Sequence, residues 1–204
     1  MPSPSPDFSS QTAHLADWMY RRPGSTLRAA KQALQVNTSI SPAEVFRHLE
    51  ILERLNDGPL VVQQRYFDAC EAALGLMEAL DEALLRPDVR LTGRLVQGHW
   101  NQSAEIRLRV HAPAEEVRPV LEHLAFDPRS ETMSTRVGLC TAWIDDQSPP
   151  MIRVISVPPP ARKFANESLV VGGTTVPLDL DEVRRRCLKP VSYTHLRAHE
   201  TDYY

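Results

Sequence analysis

Apolar positions recur every three or four residues through the first 85 positions and every second residue through much of the remaining chain, so helices should come first and a sheet second. Residues 1–10 are rich in Ser and Pro and poor in apolar side chains, which predicts a disordered start. Between Thr12 and Tyr20 a short helix would place Leu15, Trp18 and Met19 on one side, and Arg22-Pro23-Gly24 would end it. Ser25 is placed to cap a second helix running to about Leu34. The next start carries more signals: Ser41 as cap, Pro42 in the first helical position and Glu44 reaching back make a capping box. Val45, Leu49, Leu52 and Leu55 then keep helical spacing until Asp57-Gly58-Pro59 stops them. From Leu60 to Leu85 the positions Val62, Tyr66, Cys70, Ala73, Met77, Leu80 and Leu84 hold the same spacing, which predicts the backbone helix of this half.

Arg86-Pro87-Asp88 breaks that helix, and the period changes. Val89, Leu91 and then Leu95-Val96 suggest a strand that ends at Gly98. Ile106, Leu108 and Val110 alternate with Glu105, Arg107 and Arg109, the pattern of a half-buried strand with one charged face. Pro113 to Phe126 reads as a helix with Val117, Val120, Leu121 and Leu124 inward, and Pro119 is assigned to its first turns, where proline is tolerated. Arg136 to Ile144 and Met151 to Val157 read as an antiparallel hairpin around Asp145-Asp146-Gln147-Ser148-Pro149-Pro150, and Pro158 to Pro160 end it. After a loop with Gly172-Gly173, Asp179 opens a last helix with Leu180, Val183 and Cys187 inward and Arg184 to Arg186 at the end favoured by the helix dipole. The predicted class is α+β: a helical N-terminal half packed on a small mixed, largely antiparallel sheet in the order β-β-α-β-β-α. The expected partition is a disordered 1–10, a helical region over 11–86, an α+β region over 87–190 and a tail over 191–204.

Composition narrows the class without choosing a partner. The 204 residues, 42% of them hydrophobic, suffice for a core. No stretch approaches the roughly 20 apolar residues of a membrane helix, and the first residues do not resemble a signal peptide, so no membrane partner and a cytoplasmic address are expected. Cys70, Cys140 and Cys187 are odd in number and form no C-x-x-C pair, which points to reduced thiols. With 23 basic against 26 acidic residues, the balance argues against generic nucleic-acid binding.

The stretch Leu91 to Val110 carries the chemistry. A strand ending in Gly98, a polar turn and then Ser103-Ala-Glu105 opening an alternating strand would let backbone amides approach an anion. On these residues the chain, from about Ser41 to Pro190, resembles a group of uncharacterised bacterial proteins that carry a nucleotidyltransferase-like domain. Such enzymes hold a triphosphate with a Gly-Ser turn, and magnesium with two carboxylates one residue apart on the next strand. The resemblance puts Gly98 at the glycine and His99 where serine would stand. Glu105 falls at the first carboxylate, Arg107 occupies the second, and Met151 to Val157 contains no third acid. A cation at position 107 repels a divalent metal, so the expectation is a degenerate, non-catalytic domain without a cofactor. Its ligand would be a nucleotide or another phosphate-bearing molecule, met by Gly98, His99, Ser103, Glu105, Arg107 and Arg109, with Arg94 in reserve; a protein partner is the other candidate.

Blander accounts compete at each position. Arg107 and Arg109 could form an ordinary solvated strand face on which either pairs with Glu105, Trp100 could be packing, and Asp145-Asp146 could be simply a turn. Two other functions stay open: a helix-turn-helix DNA-binding regulator built on Ser25 to Leu55, and an active enzyme whose magnesium is held by Glu105 with Asp145 or Asp146. Val191 to Thr201 resembles one reading frame of a sequencing-library adapter, which implies a natural frame cut near Pro190. His195, His199 and Glu200 lie within that segment and are set aside with it.

Overall fold

The structure is a computed structural model, described over residues 8–36, 39–85, 87–98, 100–101, 104–146, 150–169 and 175–188. Helices α1 (Phe8–Tyr20), α2 (Leu27–Ala33) and α3 (Pro42–Asn56) gather around Leu15, Ala16, Met19, Ala30, Ile40, Val45 and Leu49, a core of their own. The cap of α2 is Thr26, whose side chain accepts from the Ala29 amide at 3.1 Å, one residue later than expected. Ser41 precedes α3 without a side-chain capping bond, and Pro42 begins the helix. Leu55, predicted to face inward, is 77% exposed, because α3 turns its Val45–Leu49 stripe to α1 and that stripe rotates away over the last turn.

Helix α4 (Pro59–Ala83) lies against a five-stranded sheet. The strands are β1 (Val89–Thr92), β2 (Glu105–Val110), β3 (Arg129–Thr135), β4 (Gly138–Asp145) and β5 (Met151–Ser156), in the spatial order β1-β2-β5-β4-β3. Only β2 and β5 run parallel; the other three pairings are antiparallel. Between these two strands the chain runs through α5 (Ala114–His123) and the β3–β4 hairpin. This is the α+β arrangement expected, a mixed and mostly antiparallel sheet with helices packed on it.

Alternation decides which face of the sheet is covered. Ile106, Leu108 and Val110 of β2 join Val89, Leu91, Trp143 and Val154 beneath α4, α5 and α6 (Leu180–Leu188) in the largest core. On the opposite face Ala142, Ile155, Val157 and Ala161 form a smaller cluster under a 3₁₀ helix at Pro159–Phe164. Burying an aliphatic side chain contributes about 1.5 to 3 kcal/mol, so the first face anchors the fold. The second face is apolar only at one end.

Two local expectations are corrected. The first strand ends at Thr92; Leu95–Gln97 is a 3₁₀ turn, with Leu95 and Val96 buried as core and Gly98 closing it at a φ of 80°. Strand β3 was not foreseen, because only one of its seven residues, Met133, is apolar and it lies at the sheet edge. Pro119 does stand near the first turns of α5, in the second, where it is exposed. The proline run at 158–160 follows the end of β5 at Ser156, as expected, and Pro159 begins a 3₁₀ helix. Asp179 does open α6, and reciprocally: its Oδ1 accepts from the Glu182 amide at 2.8 Å while Glu182 Oε2 accepts from the Asp179 amide at 2.9 Å. Among the described residues no helix is long and apolar enough to cross a membrane. The tail at 191–204 and its two histidines lie outside the described residues.

Candidate functional site

Strand register assembles the site. Arg107 of β2 lies directly opposite Arg153 of β5 and Thr92 of β1. Arg153 in turn opposes Ile144 of β4, and Ile144 opposes Arg129 of β3. Since facing residues across a sheet share a side, one row carries three guanidinium groups across the second face. Glu105, two residues before Arg107, projects from that same face.

Glu105 bridges the pair. Its Oε1 accepts from Arg107 Nη2, and its Oε2 accepts from Arg153 Nε at 3.0 Å. Arg153 also donates to Glu131 of β3. Thus Glu105 is shared by two neighbouring cations that would otherwise repel one another across adjacent strands, and Glu131 supplies a second negative charge. At the rim, Arg129 meets Asp146 at 3.3 Å.

The helical region supplies the opposite wall. Gly24, Thr26 and Leu27 at the start of α2 and Phe46 of α3 face Gly93, Arg94, Glu105, Arg107 and Arg153 across a cleft of about 370 Å³. The Arg94 guanidinium lies 4.0 Å from the centre of the Phe46 ring and donates to Glu50 of α3 at 3.2 Å. Burial lowers the pKa of Arg94 and of Arg107, against the attraction of Glu50 in the first case and helped by the nearby Arg153 in the second. Of these two cleft-lining residues, Arg94 Nη1 and Arg107 Nε are buried and meet no acceptor among the described residues. A buried cationic donor without an acceptor costs free energy that an anion would recover.

The expected site residues part company here. Glu105 and Arg107 are brought together, and the pairing between them is observed. Arg109 is directed elsewhere. It is 1% exposed and donates to the carbonyls of Phe164, Ala165 and Glu167, the last at 2.9 Å, so it ties the 3₁₀ helix to the sheet. Burial, with Arg90 nearby, pushes its pKa down to about 10, still well above neutrality. Gly98 does not line the cleft; Gly93 does, at a φ of 83°. Trp100 is packed into the main core. His99 and Ser103 lie outside the described residues.

Arg153, Phe46, Glu131 and Arg129 were not singled out from sequence. Arg153 had left a trace, a lone cation between Ile152 and Val154 in an otherwise apolar strand. For Phe46 and Glu131 nothing local marks the role, since each meets its partner only through tertiary folding. Among the described residues no three His, Cys, Asp or Glu side chains are grouped as metal ligands. No family model, no curated protein and no solved structure matches the chain. What the fold and cleft define is an α+β domain with a half-buried arginine–carboxylate site between its helical region and its sheet.

Proposed function

We propose that this cleft binds a phosphate-bearing small molecule, a nucleotide among the candidates, without turning it over, in a degenerate nucleotidyltransferase-like domain. The carrying observation is the Arg107–Arg153 pair, facing each other in register with Glu105 as their shared counter-ion. Arginine forks match the tetrahedral oxygens of phosphate, and such charge-assisted bonds are the stronger kind. Arg94 and Arg107, each with one buried donor that meets no acceptor, both line this cleft.

Metal-dependent transfer is disfavoured by the same contacts. Both oxygens of Glu105 are engaged by guanidinium groups, and positions 107 and 153, where further acids would be wanted, present cations instead. A divalent ion at Glu105 would have to displace two arginines. Nor is α3 a free recognition helix for DNA, since Phe46 and Glu50 are turned to Arg94 as a wall of the cleft.

Glu105 acts in this reading as an internal anion that an incoming phosphate must displace. Titration calorimetry with inorganic phosphate and with a nucleoside triphosphate, each with and without magnesium, is the test. Binding that needs no magnesium, falls at least about tenfold in Arg107→Met or Arg153→Met, and tightens in Glu105→Gln is expected. If Glu105→Gln instead abolishes a magnesium-dependent affinity, Glu105 is a metal ligand and the proposal fails. No heat of binding with millimolar phosphate or nucleotide would also sink it.

A further inference from the structure

The arginine cleft has a neighbour. A second cavity of about 360 Å³ lies on the same face of the sheet, lined by Met133, Thr135, Ile155, Leu169 and Pro177, with Thr92 at one end. The two cavities share Gly93 and Arg107 as lining residues, so they meet at that point. Gly93 puts no side chain into the junction, and its φ of 83° disfavours any replacement that would. Their chemistry differs sharply. The first cavity is walled by Arg94, Arg107, Arg129 and Arg153; in the second, Arg136 alone joins Arg107 as a cation, and it is paired with Glu167 at 2.9 Å.

Three threonine hydroxyls of the second cavity make bonds of their own, and Ser134 and Ser168 line it as well. Thr92 donates to the Arg107 carbonyl at 3.1 Å, Thr135 to the Gly138 carbonyl at 2.8 Å, and Thr175 accepts from Gln97 at 2.9 Å. Besides these hydroxyls, the chamber offers a ligand the apolar side chains of Met133, Ile155, Leu169 and Pro177. Apolar surface of that kind rewards an uncharged organic group and gains little from a second phosphate.

We infer that the ligand is a phosphate monoester with an apolar or aromatic organic group, its phosphate on Arg107 and Arg153 and its organic group in the second chamber. This rests on the reading of the arginine cleft as a phosphate site and adds the identity of the other half of the ligand. Arg107 is then the pivot. It holds the phosphate at the mouth between the chambers, and the organic substituent leaves toward Leu169 rather than toward α3.

Affinities of inorganic phosphate, methyl phosphate and phenyl phosphate for the full chain test this directly. Phenyl phosphate should bind at least about tenfold more tightly than inorganic phosphate, the gain expected for burying one aromatic ring, with methyl phosphate between them. Leu169→Trp, which projects a larger ring into the second chamber, should reduce that advantage and leave inorganic phosphate affinity within about twofold, a result that also shows the variant is folded. Equal affinities for all three ligands would overturn the inference while keeping the phosphate site. An advantage for phenyl phosphate that survives Leu169→Trp undiminished would place the ring elsewhere and overturn it as well. If inorganic phosphate does not bind at all, the underlying reading falls first.

Discussion

At the scale of single residues, neighbours rather than residue type determine what a charged group does. Arg107 and Arg109 are two positions apart on one strand and point from one face, yet the first is a cleft residue and the second a buried tie to three carbonyls. His111 comes next on that face and is buried. Its Nδ1 stands 3.1 Å from the Asp88 carbonyl and 3.4 Å from the Asp88 carboxylate, while Nε2 meets no partner. Burial lowers its pKa below the ordinary 6.5; the Asp88 carbonyl and carboxylate pull the other way, and Arg109 and Arg90 reinforce the lowering. The folded state therefore binds fewer protons than the unfolded chain, so stability is intact above about pH 6.5 and is lost as pH falls from there toward the folded value. Urea midpoints measured from pH 7.5 to 5.5 should decline for the wild type, and more shallowly for His111→Phe. Parallel declines would show that His111 takes up a proton as readily in the folded chain as in the unfolded one.

Elements are legible where one face is apolar and the other polar, and obscure where tertiary contacts outweigh that pattern. Helix α4 and strand β2 fall within two residues of their predicted bounds because their apolar spacing is uninterrupted. Strand β3 left no such pattern. It is held by seven residue pairings to β4 and by the Glu131–Arg153 contact, none of which a local window contains. The 3₁₀ helix at Pro159–Phe164 is a related case, since Arg109 reaches it across more than fifty residues of chain. Replacing Arg109 by Met keeps most of the volume but strips those carbonyls of their donor. Such a change should cost about 3 kcal/mol in urea unfolding, and Arg109→Lys should recover only part of it, because an ammonium cannot span three carbonyls as a planar fork does. A loss under about 1 kcal/mol for Met would mean that water satisfies the carbonyls equally well.

Over the whole molecule, the cleft exists because two separately cored regions face one another. The helical region cored around Leu49 and the second face of the sheet contribute opposite walls, and Arg94 crosses between them to Phe46 and Glu50. That crossing should be measurable as coupling. A double-mutant cycle of Phe46→Leu with Arg94→Met should show about 1 kcal/mol of interaction in unfolding free energy; a value indistinguishable from zero would mean the two walls are not joined at this contact.

What the amino-acid order determined by itself was the succession of helices and of the strands other than β3, the class of fold and the placing of Glu105 beside Arg107, because periodicity and alternation are local properties of a chain. Tertiary structure alone decided that Arg153 stands beside Arg107, that Arg109 is withdrawn to the 3₁₀ helix, and that Gly93 rather than Gly98 opens the cleft. Strand pairing and helix docking bring together residues distant in the chain, and the free energy of those encounters is written in no single segment.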